Sequence, residues 1–363
     1  LAPLEVEYEA EPVSPYRLPR MNGADRVTVR DGTGLRRLLV KDGAATIVSV
    51  RPAGSGRYRF SARAVPPELV LGPGSEKLGE AGEHILVAAL SDFRLALGFD
   101  QDMTGFRDAF AGDPILGPAI TARMESRSIS RADPWEALVW AITEQLIEYR
   151  RAAAIQRRMI RRWGLSVGIA GPEAGSPGKA SPATEGAAAG VRGEGLPRSD
   201  RLSTVPSAEV IAGLAPAELQ SCDLSAKRAV AMIKVAREVS RGRVDPGKSA
   251  DDRRLLAISE IGPWTIACLA LRGRGDVDAL PAGDLGHLKL VGALEGLGRL
   301  AEVEEVERFY EPYAPYRGLA GDFLLAHRGA AVSGPGNRAR IRAAGRPAAL
   351  SRGRLRRSAE ERC

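Results

Sequence analysis

The sequence predicts an α+β protein: a small N-terminal α/β domain, an antiparallel sheet plus a helix, followed by a larger all-helical domain. Three observations carry that prediction. Residues 26–66 alternate apolar and polar side chains with many β-branched or aromatic positions, the period of strands with one buried face. From about residue 100 onward the apolar spacing becomes helical. The chain has 363 residues, 44% of them hydrophobic, which is enough for two domains and a sizeable core.

The strand signals are "RVTVR", "AATIVSV" and "RYRFSARA", separated by turn-forming stretches at 31–34 ("DGTG"), 41–43 ("KDG") and 53–56 ("AGSG"). Residues 76–97 have helical spacing and complete a first domain over 1–99. The helical domain is expected over 100–330. Its first long element, 133–164, opens with Asp133 as N-cap and Pro134 at the first helical position, and Gly164 offers an end. Residues 165–200 are dominated by Gly, Ala, Pro and Ser and read as a flexible insertion. Helices resume with "SAEVIAGL", "PAELQSC", "SAKRAVAMIKVAREVSRG" and "DRRLLAIS", and a last one lies near "LAGDFLLAH".

Residues 331–363 read as a basic, disordered tail. The net charge of +7 belongs to it: from Arg328 to Cys363 ten arginines face only Glu360 and Glu361, so residues 1–327 sum to about −1. Such a tail suits non-specific attraction to phosphates or simple solvation. No run of about 18 apolar residues is present and "LAPLEVEYEAEP" is too acidic for a signal peptide, so no membrane association is expected. Three widely spaced cysteines, Cys222, Cys268 and Cys363, fit a reduced, cytoplasmic protein and exclude an iron–sulfur cluster or a Cys-based zinc site.

The most informative stretch is "SEIGPWT", 259–265, followed twenty residues after Trp264 by "LPAGDLG" with its lone acid, Asp284. Two short helices joined by a Gly-containing turn can present backbone N–H groups to a phosphate, helped by the dipole of the following helix. Pro263 suits the first turn of that helix. Asp284, taken alone, is also a good N-cap for a helix beginning at Leu285.

The run "LLAISEIGPWTIACLALRGRGDVDALPAGDLG" resembles the helix–hairpin–helix plus Gly-Pro-Asp region of base-excision DNA glycosylases, and most closely the 3-methyladenine DNA glycosylase II family. "DPWEALVWAITEQLI", "LSAKRAVAMIKVA" and "PYAPYRGLAGDFLLA" agree in order, so the similarity covers roughly residues 100–328. The resemblance implies an HhH-GPD domain after the α/β one. It also implies a hydrolase that cleaves the N-glycosidic bond of alkylated purines in damaged double-stranded DNA and acts as a monomer, nucleoid-associated in a prokaryote. Asp284 falls at the catalytic carboxylate. Ser259, Glu260, Ile261, Gly262 and Pro263 fall at the hairpin that grips the DNA backbone. No cofactor is required, although relatives sometimes hold a monovalent cation on hairpin carbonyls. Trp264, Cys268 and Leu325 fall at base-pocket positions, and Leu146 at the apolar wedge that fills the gap left by an extruded base. Relatives with lyase activity carry a Lys where Trp264 stands, so no Schiff base is expected.

Three departures from the family pattern stand out. Glu260 replaces the hairpin's usual first Gly, Cys268 and Leu325 stand where some relatives have aromatics, and Glu144 replaces a small or polar residue before "QL". The same scaffold also serves glycosylases for oxidised or deaminated bases, and a non-catalytic DNA-binding protein is a further alternative. Bland roles compete residue by residue: Trp264 and Leu146 as core, His287 as a satisfied structural histidine, and Trp135 and Trp140 as core.

Overall fold

The computed structural model describes residues 3–19, 23–168 and 201–333. They gather into two compact units. One is built within Leu1–Glu11, Leu18–Phe93 and Glu148–Ser240, the other within Pro12–Arg17, Arg94–Ile147 and Arg241–Cys363. The α+β class is borne out, but the helical half of the chain is shared out: its middle stretch clusters with the N-terminal sheet.

The first unit contains strands β1 (Glu5–Ala10), β2 (Thr28–Asp31), β3 (Gly34–Lys41), β4 (Ala44–Gly54) and β5 (Arg57–Ala64), all antiparallel in the order β1-β5-β4-β3-β2. The three predicted strands are β2, β4 and β5, and the predicted turns separate β2 to β5. β1 and β3 were not among the predicted strands. In β1, Glu7 and Glu9 alternate with Val6 and Tyr8, and the glutamates pair across the sheet with Arg59, whose register partner is Glu9. That complementarity with "RYRF" becomes legible only once the two strands are paired. β3 carries two consecutive arginines that break its alternation; Arg37 is buried while Arg36 reaches Asp31.

Helix α1 (Glu83–Ala96) follows, shorter than the 76–97 expected because a 3₁₀ turn takes Ser75–Lys77. Helices α5 (Tyr149–Trp163), α6 (Ala208–Ala212), α7 (Pro216–Gln220) and α8 (Ala226–Ser240) belong to the same unit. The 165–200 insertion starts later than expected. Residues Ser166–Gly168 form β6, which pairs antiparallel with β7 (Arg201–Ser203), Val167 opposite Leu202. Both residues are buried with Leu38, Ala45, Val65 and Val70. The remainder, 169–200, lies outside the described residues.

The second unit is helical. It holds α2 (Thr104–Phe110), α3 (Gly117–Ala122), α4 (Pro134–Glu144), α9 (Asp252–Leu256), α10 (Pro263–Gly273), α11 (Leu285–Leu294), α12 (Val303–Tyr310) and α13 (Arg317–Ser333). Its core joins Phe106, Phe110, Leu116, Val306, Tyr310, Tyr313 and Phe323, with rings meeting edge-on at 5–6 Å, as for Phe106–Phe110 (5.8 Å) and Phe110–Tyr313 (5.3 Å). α13 runs to Ser333, past the expected start of the tail at 331; residues 334–363 lie outside the described residues.

One correction matters for function. The single helix expected over 133–164 is two, α4 and α5, interrupted at 145–148. Its start is as predicted: Asp133 accepts from the Trp135 amide at 2.8 Å, with Pro134 at the first position. The break is at Leu146, whose φ of 54° no helix accommodates.

Candidate active site

Asp284 is the N-cap of α11. Its Oδ1 accepts from the Gly286 amide at 2.6 Å, while Oδ2 has no hydrogen-bond partner among the described residues. The capping role and a chemical role are therefore compatible: one oxygen orients the side chain, and the other has no donor among the described residues. Leu325, on α13, approaches the same turn, since a Cβ on Gly286 would lie 3.1 Å from its Cδ2.

The hairpin brings a second element to this turn. Trp264, at the start of α10, lies beside the PAGD loop, with Cδ1 3.7 Å from where a Cβ on Gly283 would stand. Its indole N–H is buried and has no acceptor among the described residues. An unmet donor of this kind costs about 1–3 kcal/mol in an ordinary core, which argues for a partner that arrives with a ligand. Core packing alone leaves that donor unexplained.

Within the hairpin, Gly262 caps α10 with extended φ and ψ, and a Cβ there would meet no described atom within 4 Å. That side of the turn is open for a phosphate to approach the first amides of α10. The left-handed residue of the turn is Glu260, φ 73°, where a Gly would be strain-free. Glu260→Gly is expected to raise stability by about 0.5–1 kcal/mol, the left-handed penalty less the extra chain entropy of Gly. It also removes a negative charge from the turn to which the resemblance assigns the DNA backbone, so affinity for duplex DNA should rise about threefold, and more at low salt. Urea titration and binding measured at two salt concentrations check both.

Gln145 ties the hairpin to the break between α4 and α5. Its side-chain amide donates to the Glu260 carbonyl at 2.7 Å and to Thr265 Oγ1 at 3.0 Å. The next residue, Leu146, is fully exposed, 103% of its reference area, on its left-handed backbone. A large apolar side chain held in water on a conformation costing about 1–2 kcal/mol is not core. The bland reading of Leu146 is thereby excluded. Gln145, by contrast, offered no signal in the sequence beyond its place in "EQLIE".

Behind these groups lies a network of charge. Arg272, on α10, forks onto Asp322 of α13, with Nη1 to Oδ2 at 2.7 Å and Nη2 to Oδ1, and also donates to Ser128 Oγ at 3.0 Å. Ser128 in turn bonds Asp322 at 2.5 Å. Burial works against the Arg272 charge, and Asp322 more than offsets it. Glu144, the last residue of α4, is partly buried and has no hydrogen-bond donor among the described residues. Burial, then the nearby Asp284 charge, push its carboxyl up to about 7, against the pull of Arg272 and Arg131. Cys268 is buried in the same region; burial, then the charges of Glu144 and Asp284, raise its thiol well above the ordinary range, so it is a neutral wall and no nucleophile.

The structure thus brings Asp284, Trp264, Cys268, Leu325 and Glu144 to one place, with Leu146 projecting beside the hairpin. His287 is elsewhere engaged: it is buried, bonds Tyr310 OH through Nδ1 at 3.1 Å and is kept neutral mainly by burial. Trp135 and Trp140 are core, the latter under the Arg131 guanidinium at 4.5 Å. Among the described residues no helix is long and apolar enough to cross a membrane.

A hairpin, an acid at a helix N-terminus twenty residues on, and a five-stranded sheet in the other unit together describe the helix–hairpin–helix DNA glycosylase fold. A 3-methyladenine DNA glycosylase from Archaeoglobus fulgidus superposes with a TM-score of 0.66 at 17% identity, over 89% of this chain and 98% of its own. The relationship expected from the sequence, with the 3-methyladenine DNA glycosylases, is borne out in sequence comparison as well. The chain is 22% identical to the DNA-3-methyladenine glycosylase of Bacillus subtilis over 231 residues, 62% of this chain and 67% of the relative. It is 25% identical over 295 residues to a probable bifunctional transcriptional activator/DNA repair enzyme AlkA of Mycobacterium tuberculosis, 77% of this chain but only about half (52%) of the relative. No protein-family model matches the chain.

Proposed function

We propose that this protein is a monofunctional DNA glycosylase that hydrolyses the N-glycosidic bond of alkylated purines, of the 3-methyladenine type, in base-excision repair. The observation that carries the reading is the pairing, at the turn beside the hairpin, of an Asp284 carboxylate oxygen and a Trp264 N–H that both lack a partner among the described residues. The relatives' names and the fold support it.

The chemistry follows from these groups. A damaged nucleotide must leave the stack before it can be cut, at a cost of a few kcal/mol that is least for weakened pairs. Leu146 would enter the vacated step from a position already exposed beside the hairpin. As the glycosidic bond breaks, positive charge grows on the deoxyribose; the Asp284 carboxylate would stabilise it and orient the attacking water. An alkylated purine is cationic, so the Trp264 face attracts it. Trp264 also occupies the position where a lyase would need an amine. The hairpin would hold backbone phosphate. The carbonyls of Ile258 and Glu260 already accept from Ile261 N and Gln145 Nε2, but each keeps a second lone pair. These donors fit a monovalent cation that would steady the turn and take no part in the reaction. The reading includes action as a monomer on duplex DNA, and the buried free thiols Cys222 and Cys268 agree with a reducing, cytoplasmic setting.

Release of free 3-methyladenine or 7-methylguanine from methylated duplex DNA tests the reading; no release of either overturns it. Leu146→Gly is expected to slow release about tenfold while raising stability by about 0.5–1 kcal/mol, as at Glu260, because relief of the left-handed strain exceeds the added chain entropy. A loss of stability with unaltered release would return Leu146 to a structural role.

A further inference from the structure

We propose that Glu144 is a second acid of this site, giving its carboxyl proton to the departing base while Asp284 faces the sugar, so that neutral purines leave as well as cationic ones. The inference rests on the glycosylase reading and deepens it.

Its basis is placement. Glu144 ends α4 one residue before Gln145, which grips the hairpin, and two before the exposed Leu146. It is therefore built on the same rigid corner that would receive the extruded nucleotide. The charged and titratable groups that face it are Asp284 at the N-cap of α11, Arg272 and Cys268 on α10, and Arg131 just before α4. Arg272 is already neutralised by its fork onto Asp322, and Arg131 lies over Trp140. Neither donates a hydrogen bond to Glu144, and a carboxyl enclosed beside another carboxylate without a donor is costly as an anion. Asp284 stands on the loop that Trp264 flanks with its unmet indole N–H, and its charge is felt at Glu144. The two carboxyls sit in unlike settings: Asp284 accepts a backbone amide, whereas Glu144 has no donor among the described residues. Burial and the Asp284 charge hold the Glu144 proton to about pH 7.

The step balances as follows. The bond between C1′ and the base nitrogen breaks and its electron pair goes to the base. The Glu144 proton goes to a ring nitrogen of the base, leaving the Glu144 carboxylate. Water oxygen bonds to C1′, and its proton passes to Asp284 and returns through solvent to Glu144. A cationic alkylated purine needs no such proton; a neutral purine does.

The test compares the full chain with Glu144→Gln on duplex DNA carrying either 7-methylguanine, a cationic leaving base, or hypoxanthine, a neutral one. Glu144→Gln should slow hypoxanthine release about 100-fold and 7-methylguanine release far less, so that the ratio of the two rates falls at least about tenfold; a urea titration reports separately that the variant is folded. Hypoxanthine release by the wild type should fall as pH rises through about 7, where Glu144 gives up its proton, and that limb should vanish in the variant. Glu144→Asp, which keeps the acid one methylene further back, should retain the limb at a lower rate. Equal slowing of both substrates overturns the proposal. So does slowing confined to 7-methylguanine, which would make Glu144 an anion pairing with cationic bases, and so does a wild type that frees 7-methylguanine but no hypoxanthine. In each of these cases the glycosylase reading stands. Release of neither base, nor of 3-methyladenine, by the wild type overturns that reading, and the role of Glu144 with it.

Discussion

Asp284→Asn is expected to slow base release about 10³-fold while leaving the protein folded and able to bind DNA. The size follows from removing a preorganised charge where charge develops in the transition state, typically 10²–10³ or about 3–4 kcal/mol. The choice of Asn is what makes the experiment clean. Asp284 caps α11 through Oδ1 and the Gly286 amide at 2.6 Å, and Asn caps about as well as Asp. Stability should therefore change by no more than ~0.5 kcal/mol, whereas Asp284→Ala should also lose the cap, about 1 kcal/mol. Affinity for DNA should hold or rise slightly, since a negative charge has been taken from beside a polyanion. A second consequence is electrostatic: without the Asp284 charge the Glu144 carboxyl falls from about 7, and burial alone keeps it raised. Single-turnover release, urea titration and binding on the same samples separate these effects. Unchanged release in a folded Asp284→Asn protein would reduce Asp284 to its cap.

Asp322→Ala is expected to cost about 3 kcal/mol of stability, the low end for breaking an enclosed ion pair because Arg272 keeps a third of its side chain in water. The loss exceeds that of the contact itself. Arg272 would remain with Ser128 Oγ and no counter-charge, and Ser128 would lose its own acceptor. Asp322→Asn, which preserves an acceptor but not the charge, should lose about half as much. The network also reaches the site. An Arg272 no longer balanced by Asp322 would draw Glu144 toward its anion, so the high-pH fall in release of a neutral base should begin at lower pH. Urea midpoints read the first effect and the pH profile the second. A midpoint within ~0.5 kcal/mol of the wild type would mean that the fork contributes no more than a surface pair.

The elements that were legible in the sequence are those governed by neighbours a few residues away. The three strand signals and the turns between them, the Asp133–Pro134 start of α4, and the hairpin followed by an acid all express local periodicity, capping and turn chemistry. Their order along the chain was enough to bring the glycosylase resemblance into view. Long-range partners decided the rest. β1 is a strand because its backbone pairs with β5, some fifty residues on, with Glu9 opposite Arg59, and β6 pairs in the same way with β7, Val167 opposite Leu202. The helix expected through 133–164 breaks because Gln145 is drawn to Glu260 and Thr265, 115 and 120 residues away, which leaves Leu146 exposed on a left-handed backbone. The protonation of Glu144 belongs to the same class, since it depends on burial and on Asp284, neither of which is adjacent in the chain. Composition and local pattern therefore determined which fold this chain adopts and where its acid lies. Only the tertiary structure decided which side chains are strained, exposed or left holding a proton, because those states are set by groups that the folded chain brings together.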